Sequence, residues 1–158
     1  MTELVNRPYD TLNIGDSATF EKTLTEKELV LFAAVSGDVN PVHLDAEFAK
    51  TTMFGERIAH GMWSGSLISA ALATVLPGPG TIYLGQELSF RRPVKLGDTL
   101  TVTLTVKDKQ DAKKIVELDC LVVNQQGEKV VLGTAKVIAP SEPVRLTAPV
   151  LPEIHLGA

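Results

Sequence analysis

The sequence has few of the features that mark secreted or membrane proteins. With a single cysteine, it cannot form an internal disulfide. Its N-terminal segment has no apolar core of signal-peptide length behind a basic region. The most apolar segment, residues 61–76, is shorter than the roughly 20 residues that cross a bilayer, and serines interrupt it. These absences predict a soluble, cytoplasmic protein.

The sequence also has no excess of positive charge. The formal net charge is -4 at pH 7, so no broad positive field attracts nucleic acid or anionic lipid. The 158 residues have room for one compact domain but not for a second. We therefore expect one domain that binds neither nucleic acid nor membranes.

Helices are predicted in the first half of the chain. Thr25 and Glu28 have the spacing of a capping box, and the helix that they open continues to about Val35. After a turn, a short helix is expected over residues 42–50. The long helix over 61–76 is apolar nearly all round, so we expect protein to surround it.

Strands are predicted to flank these helices. One short strand lies within residues 14–23, and the four later ones cover 81–92, 98–108, 114–124 and 129–139. Cys120 falls in an alternating apolar run, which makes it a core residue rather than a reactive thiol. A long helix followed by four consecutive strands predicts an α+β protein in which an antiparallel sheet curls around the helix, as in a hot-dog fold. A four-stranded sandwich with the helix on one sheet face is the alternative.

The predicted domain covers residues 1–139. The remaining residues, 140–158, hold four of the nine prolines and show no sustained periodicity. We interpret this tail as a strap or linker without regular secondary structure.

A carboxylate and an imidazole stand five residues apart in the segment Asp38-Val-Asn-Pro-Val-His43. The Asn40-Pro41 pair favours a turn, after which one helical twist can bring the two side chains to one cavity. Such a pair can move a proton off water and onto carbon. The alternative stays open that these are ordinary turn and capping residues.

The wider pattern points to a family. Residues 32–45 (FAAVSGDVNPVHLD), 48–49 (FA) and 59–62 (AHGM) closely resemble the hydratase-2 motif of MaoC-like (R)-specific enoyl-CoA hydratases. Residues 82–90 and 93–98 are similar to that family's central strand and turn. The resemblance spans about residues 14–139 and is specific in its Asp-x-Asn-Pro-x-His element.

This resemblance implies roles for several residues. Asp38 and His43 would be the catalytic dyad, with Asn40 shaping the turn between them. Ser69 matches a serine beside the active site of relatives, although a bond to its own helix explains it equally well. Coenzyme A thioester would be the substrate, and no redox or metal cofactor is expected.

The residues around the long helix allow two interpretations each. The backbone N–H of Gly61 can hold the thioester oxygen, or the glycine can merely allow close packing. Met62 and Trp63 either belong to the core or line an acyl pocket. His60 is interpreted as a packing or capping residue. Because no histidine or cysteine pair has metal-ligand spacing, we predict no metal.

Basic residues cluster at the end of the strand predicted over residues 81–92. Arg91, Arg92 and Lys95 would there contact the phosphates of coenzyme A, the solvent or a dimer partner. His155 in the tail is taken to be uninvolved.

These features are compatible with three functions. The first is (R)-specific hydration of 2-enoyl-CoA by a homodimer or higher homo-oligomer. The second is a hot-dog thioesterase or 3-hydroxyacyl-carrier-protein dehydratase. The third is a non-enzymatic acyl-CoA-binding accessory domain, since related domains also begin bifunctional proteins whose second half resembles a phosphate acyltransferase.

Overall fold

The computed structural model describes residues 2–157. Five of its strands form one antiparallel sheet in the order β2-β4-β5-β6-β3, and two short strands, β1 and β7, form a separate pair. The elements are β1 (Glu3–Val5), β2 (Ser17–Thr23), α1 (Glu26–Ser36), α2 (Pro41–Leu44), α3 (Ala46–Lys50), α4 (Gly61–Thr74), β3 (Ile82–Phe90), β4 (Thr99–Gln110), β5 (Ile115–Val123), β6 (Lys129–Ile138) and β7 (Arg145–Thr147).

The sheet curls around α4. This helix contacts β2 and β3, which are the two edge strands, as well as the interior strand β4. A flat sheet with a helix on one face would not bring both edges to that helix. The predicted α+β hot-dog fold is therefore confirmed, and the four-stranded sandwich is wrong.

The core lies between α4 and the inner face of the sheet. Leu100, Val102 and Leu104 alternate along β4 and have no exposed surface, as their period-two pattern predicts. Cys120 on β5 is buried beside them, and burial is the main cause that raises the pKa of its thiol. It is a core residue, as predicted.

The predicted boundaries hold for α1 and fail for the next helix. Thr25 and Glu28 form the complete capping box, and Gly37 closes α1 with a left-handed φ of 81°. The helix expected over residues 42–50 is instead two short helices. Asp45 separates them, because its carboxylate accepts a hydrogen bond from the N–H of Phe48 and so caps α3.

The tail is more regular than expected. Residues 145–147 form β7 and pair with residues 3–5 of β1, so the expectation of no regular structure is wrong there. Asn6 helps to anchor the tail, because its side chain accepts from the N–H of Val144 and donates to the carbonyl of Glu142.

The long helix is less enclosed than expected. Met62 on α4 is 57% exposed, whereas Trp63 beside it is only 4% exposed. The single chain therefore leaves a strip of α4 that includes Met62 exposed to solvent. Among the described residues, no helix is both long and apolar enough to cross a membrane.

Candidate active site

Asp38 sits at the start of a tight turn after α1. Its Oδ1 accepts a hydrogen bond from the N–H of Asn40 at 3.1 Å, and its own N–H donates to Ser36 Oγ at 3.2 Å. These local bonds fix the carboxylate while its side chain stays 49% exposed. One oxygen, Oδ2, is left to face the neighbouring imidazole.

His43 is held by the short helix α2 and by a distant backbone group. Asn40 caps α2 by accepting from the N–H of Val42, with Pro41 at the first helical position, which proline favours. The His43 ring is buried, and its Nδ1 lies 2.8 Å from the carbonyl oxygen of Ile58. Since a carbonyl only accepts, Nδ1 carries the hydrogen, and in the neutral ring Nε2 is an acceptor.

The turn brings the predicted pair together. His43 Nε2 and Asp38 Oδ2 are 3.7 Å apart, which is too long for a direct hydrogen bond but suits a bridging water. The expectation that Asp38 and His43 face each other is met by this geometry, while their catalytic roles stay a prediction.

His60 contacts both residues of this pair. Its ring stacks on His43 with centroids 3.7 Å apart, and Phe32 packs on it at 5.1 Å. Its Nε2–H donates to the backbone carbonyl of Asp38 at 2.9 Å. His60 occupies the N-cap position of α4 but makes no side-chain capping bond, so packing is the correct part of the prediction. Within residues 2–157, its buried Nδ1 has no partner.

Three side chains of the site lie close enough together that they could be considered as metal ligands. Donor atoms of Asp38, His43 and His60 lie within 4.8 Å of one another. However, stacked imidazole rings direct their in-plane lone pairs side by side rather than toward one point, and tetrahedral sites need converging ligands. One nitrogen of each ring is also committed to a backbone carbonyl. The residues present do not fit a metal in this arrangement.

Gly61 begins α4 directly beside His60. Its N–H is one of the first four of a helix, which lack an acceptor within the helix. A Cβ at this position would lie 3.1 Å from Phe90 Cε1, so close packing also favours glycine here. Both interpretations of Gly61 thus have structural support.

Two cavities lie next to the dyad and are lined by residues that neighbour it. The first, of about 310 Å³, is lined by His60, Gly61 and Arg91 among others. The second, which we call the α4 groove, has about 710 Å³ and runs between α4 and β3. Phe90 lines both. Apolar space next to converging polar groups is typical of sites for small ligands.

The other predicted site residues divide between these spaces. Met62 and Ser69 line the α4 groove, and Arg91 lines the smaller cavity. Asn40 lines neither cavity and caps α2 within the turn. Trp63 lies apart from them, because it is buried in the core and lines neither cavity.

Two contacts of the dyad were not foreseen. Ile58 binds His43 through its carbonyl, and Arg57 donates from Nε to the backbone oxygen of His43 at 2.8 Å. Both residues lie in a polar loop that lacks any motif of its own. A backbone acceptor leaves no mark on residue type, so no signal in the sequence could have identified Ile58.

Known proteins resemble this chain in sequence and in structure. The profile of the MaoC like domain matches residues 11–128. An (R)-specific enoyl-CoA hydratase of Rhodospirillum rubrum is 43% identical over 141 residues, covering 88% of this chain and 96% of the relative. A 3-hydroxybutyryl-CoA dehydratase of Methylorubrum extorquens is 40% identical over 135 residues, 85% of each chain. The unliganded structure of R-hydratase PhaJ1 from Pseudomonas aeruginosa shares 55% identity and a TM-score of 0.95, over 99% of this chain and 100% of that one.

Proposed function

The chain belongs to the MaoC-like domain family, and we propose that it is an (R)-specific 2-enoyl-CoA hydratase. This hydro-lyase reversibly adds water to a trans-2-enoyl-CoA to give an (R)-3-hydroxyacyl-CoA. The thioester substrate and the (R) product rest on the likeness to the two hydratases. The observation that carries the chemistry is the 3.7 Å gap between Asp38 Oδ2 and His43 Nε2.

One water molecule can lie beside these two atoms at hydrogen-bond distance from both. In the neutral ring, Nε2 accepts, as the carboxylate oxygen does, so this water donates one O–H to each and keeps a lone pair for C3. Asp38 takes a proton as the water oxygen bonds to C3, and His43 orients the water. The two roles are interchangeable on this geometry.

The remaining steps need no reactant other than the enoyl thioester and this water molecule. As the C3–O bond forms, the double-bond electrons move toward the thioester oxygen, where the Gly61 N–H stabilises the negative charge. The enolate then collapses: the thioester carbonyl re-forms, and the electron pair of the C1–C2 double bond takes up at C2 the proton that the dyad removed from water. The hydroxyl and the hydrogen of the product therefore come from one water molecule, and no metal or redox cofactor is part of the proposal.

The decisive experiment is the hydration of crotonyl-CoA by the wild type and the Asp38→Asn variant. Asparagine can still accept from the N–H of Asn40, so the turn is kept while the proton acceptor is lost. We expect hydration to fall by about 10²–10⁴ with the fold intact. Asp45→Asn is the matched control, because asparagine also caps a helix well. Full activity in Asp38→Asn would show the assignment to be wrong.

The assay also separates the alternative functions. Loss of the enoyl absorbance without release of free thiol supports hydration, whereas thiol release indicates a thioesterase. Comparing coenzyme A with carrier-protein thioesters distinguishes the dehydratase alternative, and chiral analysis of the 3-hydroxyacyl product tests the (R) assignment. Binding without turnover would indicate an accessory domain. A cytoplasmic location and a role in fatty-acid metabolism are proposals that depend on this activity.

We further propose that Arg91 contacts the phosphates of coenzyme A. Of the three clustered cations, Arg92 pairs with Glu128 and Lys95 with Glu56, whereas Arg91 has no carboxylate partner within residues 2–157. Arg91→Gln should raise KM for crotonyl-CoA. It should leave KM unchanged for crotonyl-pantetheine, which lacks the phosphates.

A homodimer is proposed from the exposed edge of the sheet. The edge strand β3 exposes three apolar side chains, Ile82, Leu84 and Phe90, at 56%, 48% and 51%. An unpaired apolar edge favours pairing with a second copy, which would also cover the α4 groove. Sedimentation of the wild type against Leu84→Lys tests this, with a dimer expected only for the wild type.

A further inference from the structure

The guanidinium of Arg57 makes hydrogen bonds to two separate parts of the chain. Its Nη atoms donate to both carboxylate oxygens of Glu26, at 2.8 and 3.0 Å. Its Nε donates to the backbone oxygen of His43 at 2.8 Å, and its side chain is only 14% exposed. The two Nη atoms of the guanidinium thus bind the Glu26 carboxylate, and its Nε binds the backbone of His43.

The residue after Arg57 binds the same turn. The N–H of Ile58 donates to the carbonyl of Val42 at 3.4 Å, and its carbonyl accepts from His43 Nδ1 at 2.8 Å. Residues 57–58 therefore hold Val42 and His43 at three points. Two of these points fix the backbone of α2, and the third fixes the imidazole ring.

Glu26 connects these contacts to Asp38, the other residue of the dyad. It lies in the first turn of α1, and the same helix ends at Gly37, directly before Asp38. Arg57 therefore ties the helix that leads to Asp38 to the backbone of His43. A bidentate arginine fixes both distance and angle, which a lysine in its place would not do.

We propose that Arg57 is a positioning residue for the hydration reaction, which sets the separation of Asp38 and His43 through its bonds to Glu26 and to the His43 carbonyl. The inference rests on the proposed function. Arg57 lines neither cavity beside the dyad, so it acts through the dyad and not on the substrate. Its loss should lower kcat and leave KM nearly unchanged.

The test compares Arg57→Ala with a matched arginine elsewhere. Arg7 also joins a carboxylate, Asp16, to a backbone carbonyl, that of Thr11, through one guanidinium nitrogen, and it makes no contact with the dyad. Arg7→Ala reports what the loss of such an ion pair does to stability alone. Both variants are assayed for kcat and KM with crotonyl-CoA and for thermal unfolding, and Arg57→Ala is repeated with added guanidinium chloride at non-denaturing millimolar concentration.

The expected results separate positioning from stability. Arg57→Ala should lose about 10- to 100-fold in kcat, the scale of a displacement near 1 Å, while KM changes by less than about twofold. Guanidinium should restore part of that kcat, but should do nothing for Asp38→Asn. Arg7→Ala should lower the unfolding temperature without a change in kcat.

Each contrary outcome has one meaning. An unchanged kcat in Arg57→Ala overturns the positioning role, as does a change confined to KM. If that variant does not fold, Glu26→Gln decides, because it leaves Arg57 in place and removes the charge that anchors it. A several-fold decrease of kcat in Glu26→Gln supports the proposal, and wild-type kcat overturns it. A wild type that hydrates no enoyl thioester refutes the proposed function instead.

Discussion

The Nδ1 atom of His43 lies 2.8 Å from the backbone oxygen of Ile58. Because that oxygen has no hydrogen to give, it determines which ring nitrogen carries the proton. The other nitrogen, Nε2, is the one that faces Asp38. A residue fifteen positions away thus sets the tautomer of the imidazole through its main chain alone.

Replacing His43 with asparagine separates these two ring nitrogens. The side-chain amide of asparagine reaches about as far as Nδ1 and can still donate to Ile58, whereas nothing replaces Nε2. We expect His43→Asn to fold with little change in unfolding temperature and to lose about 10²–10⁴ in kcat. His155→Asn, in the exposed tail, should keep full activity. Wild-type kcat in His43→Asn would remove the imidazole from the mechanism.

The parts of the site that could be predicted from the sequence are local. The capping box of α1, its glycine stop and the turn from Asp38 to His43 each depend on residues within a few positions of one another. Local hydrogen bonds constrain residue type, so their pattern is visible in one chain. The alternating strands were visible because burial of one sheet face imposes a period of two on the apolar side chains.

The parts that were missed depend on distant contacts. Arg57 meets Glu26 across 31 positions, and Arg145 of β7 meets Glu3 of β1 across 142. Nothing in either local segment specifies such a partner. By contrast, the helix break at Asp45 had a visible signal, since aspartate is a preferred N-cap residue and residues 46–50 follow it as a helix.

Gly37 should be favoured over other residues for backbone reasons alone. Its φ is 81°, and a Cβ there would meet nothing within 4 Å, so any penalty for alanine is conformational. Gly37→Ala should lower the free energy of unfolding by about 1–2 kcal/mol in urea titrations and should lower kcat by displacing Asp38. Gly37→Asn should recover part of the loss, since asparagine tolerates this region.

Gly85 provides the control for that experiment. A Cβ at this position would also stand in open space, but the backbone has no left-handed φ. Gly85→Ala should therefore not destabilise the protein, because glycine in a strand is less favourable than alanine by about 0.5–1 kcal/mol. Equal destabilisation of both variants would contradict the backbone argument.

Asp16 should make stability depend on pH. The hydrogen bond from the N–H of Asn13 lowers its pKa, partial burial opposes this, and the bond from Arg7 lowers it further. A carboxyl whose pKa is lowered by folding stabilises the protein above its unfolded pKa, and this stabilisation is lost as pH falls. The gap in unfolding temperature between wild type and Asp16→Asn should be full at neutral pH and shrink below about pH 4. A gap that is constant with pH would exclude this cause.

The backbone donor at Gly61 can be tested by comparing two substitutions. Gly61→Ala keeps the N–H and adds a Cβ 3.1 Å from the Phe90 ring. Gly61→Pro adds the same Cβ together with the two other ring carbons, and it removes the N–H. Proline is favoured at the first position of a helix, and His60 already has the extended ψ of 136° that a residue before proline requires.

The difference between these two variants therefore isolates the donor from the packing. If the Gly61 N–H holds the thioester oxygen, kcat for crotonyl-CoA should be about 10²–10³ lower in Gly61→Pro than in Gly61→Ala. Unfolding temperatures of both variants are measured alongside kcat, because the Cβ contact with Phe90 is common to both and any further loss of stability comes from the proline ring. Equal kcat in the two variants would assign Gly61 to close packing alone, and the oxyanion would then need another donor.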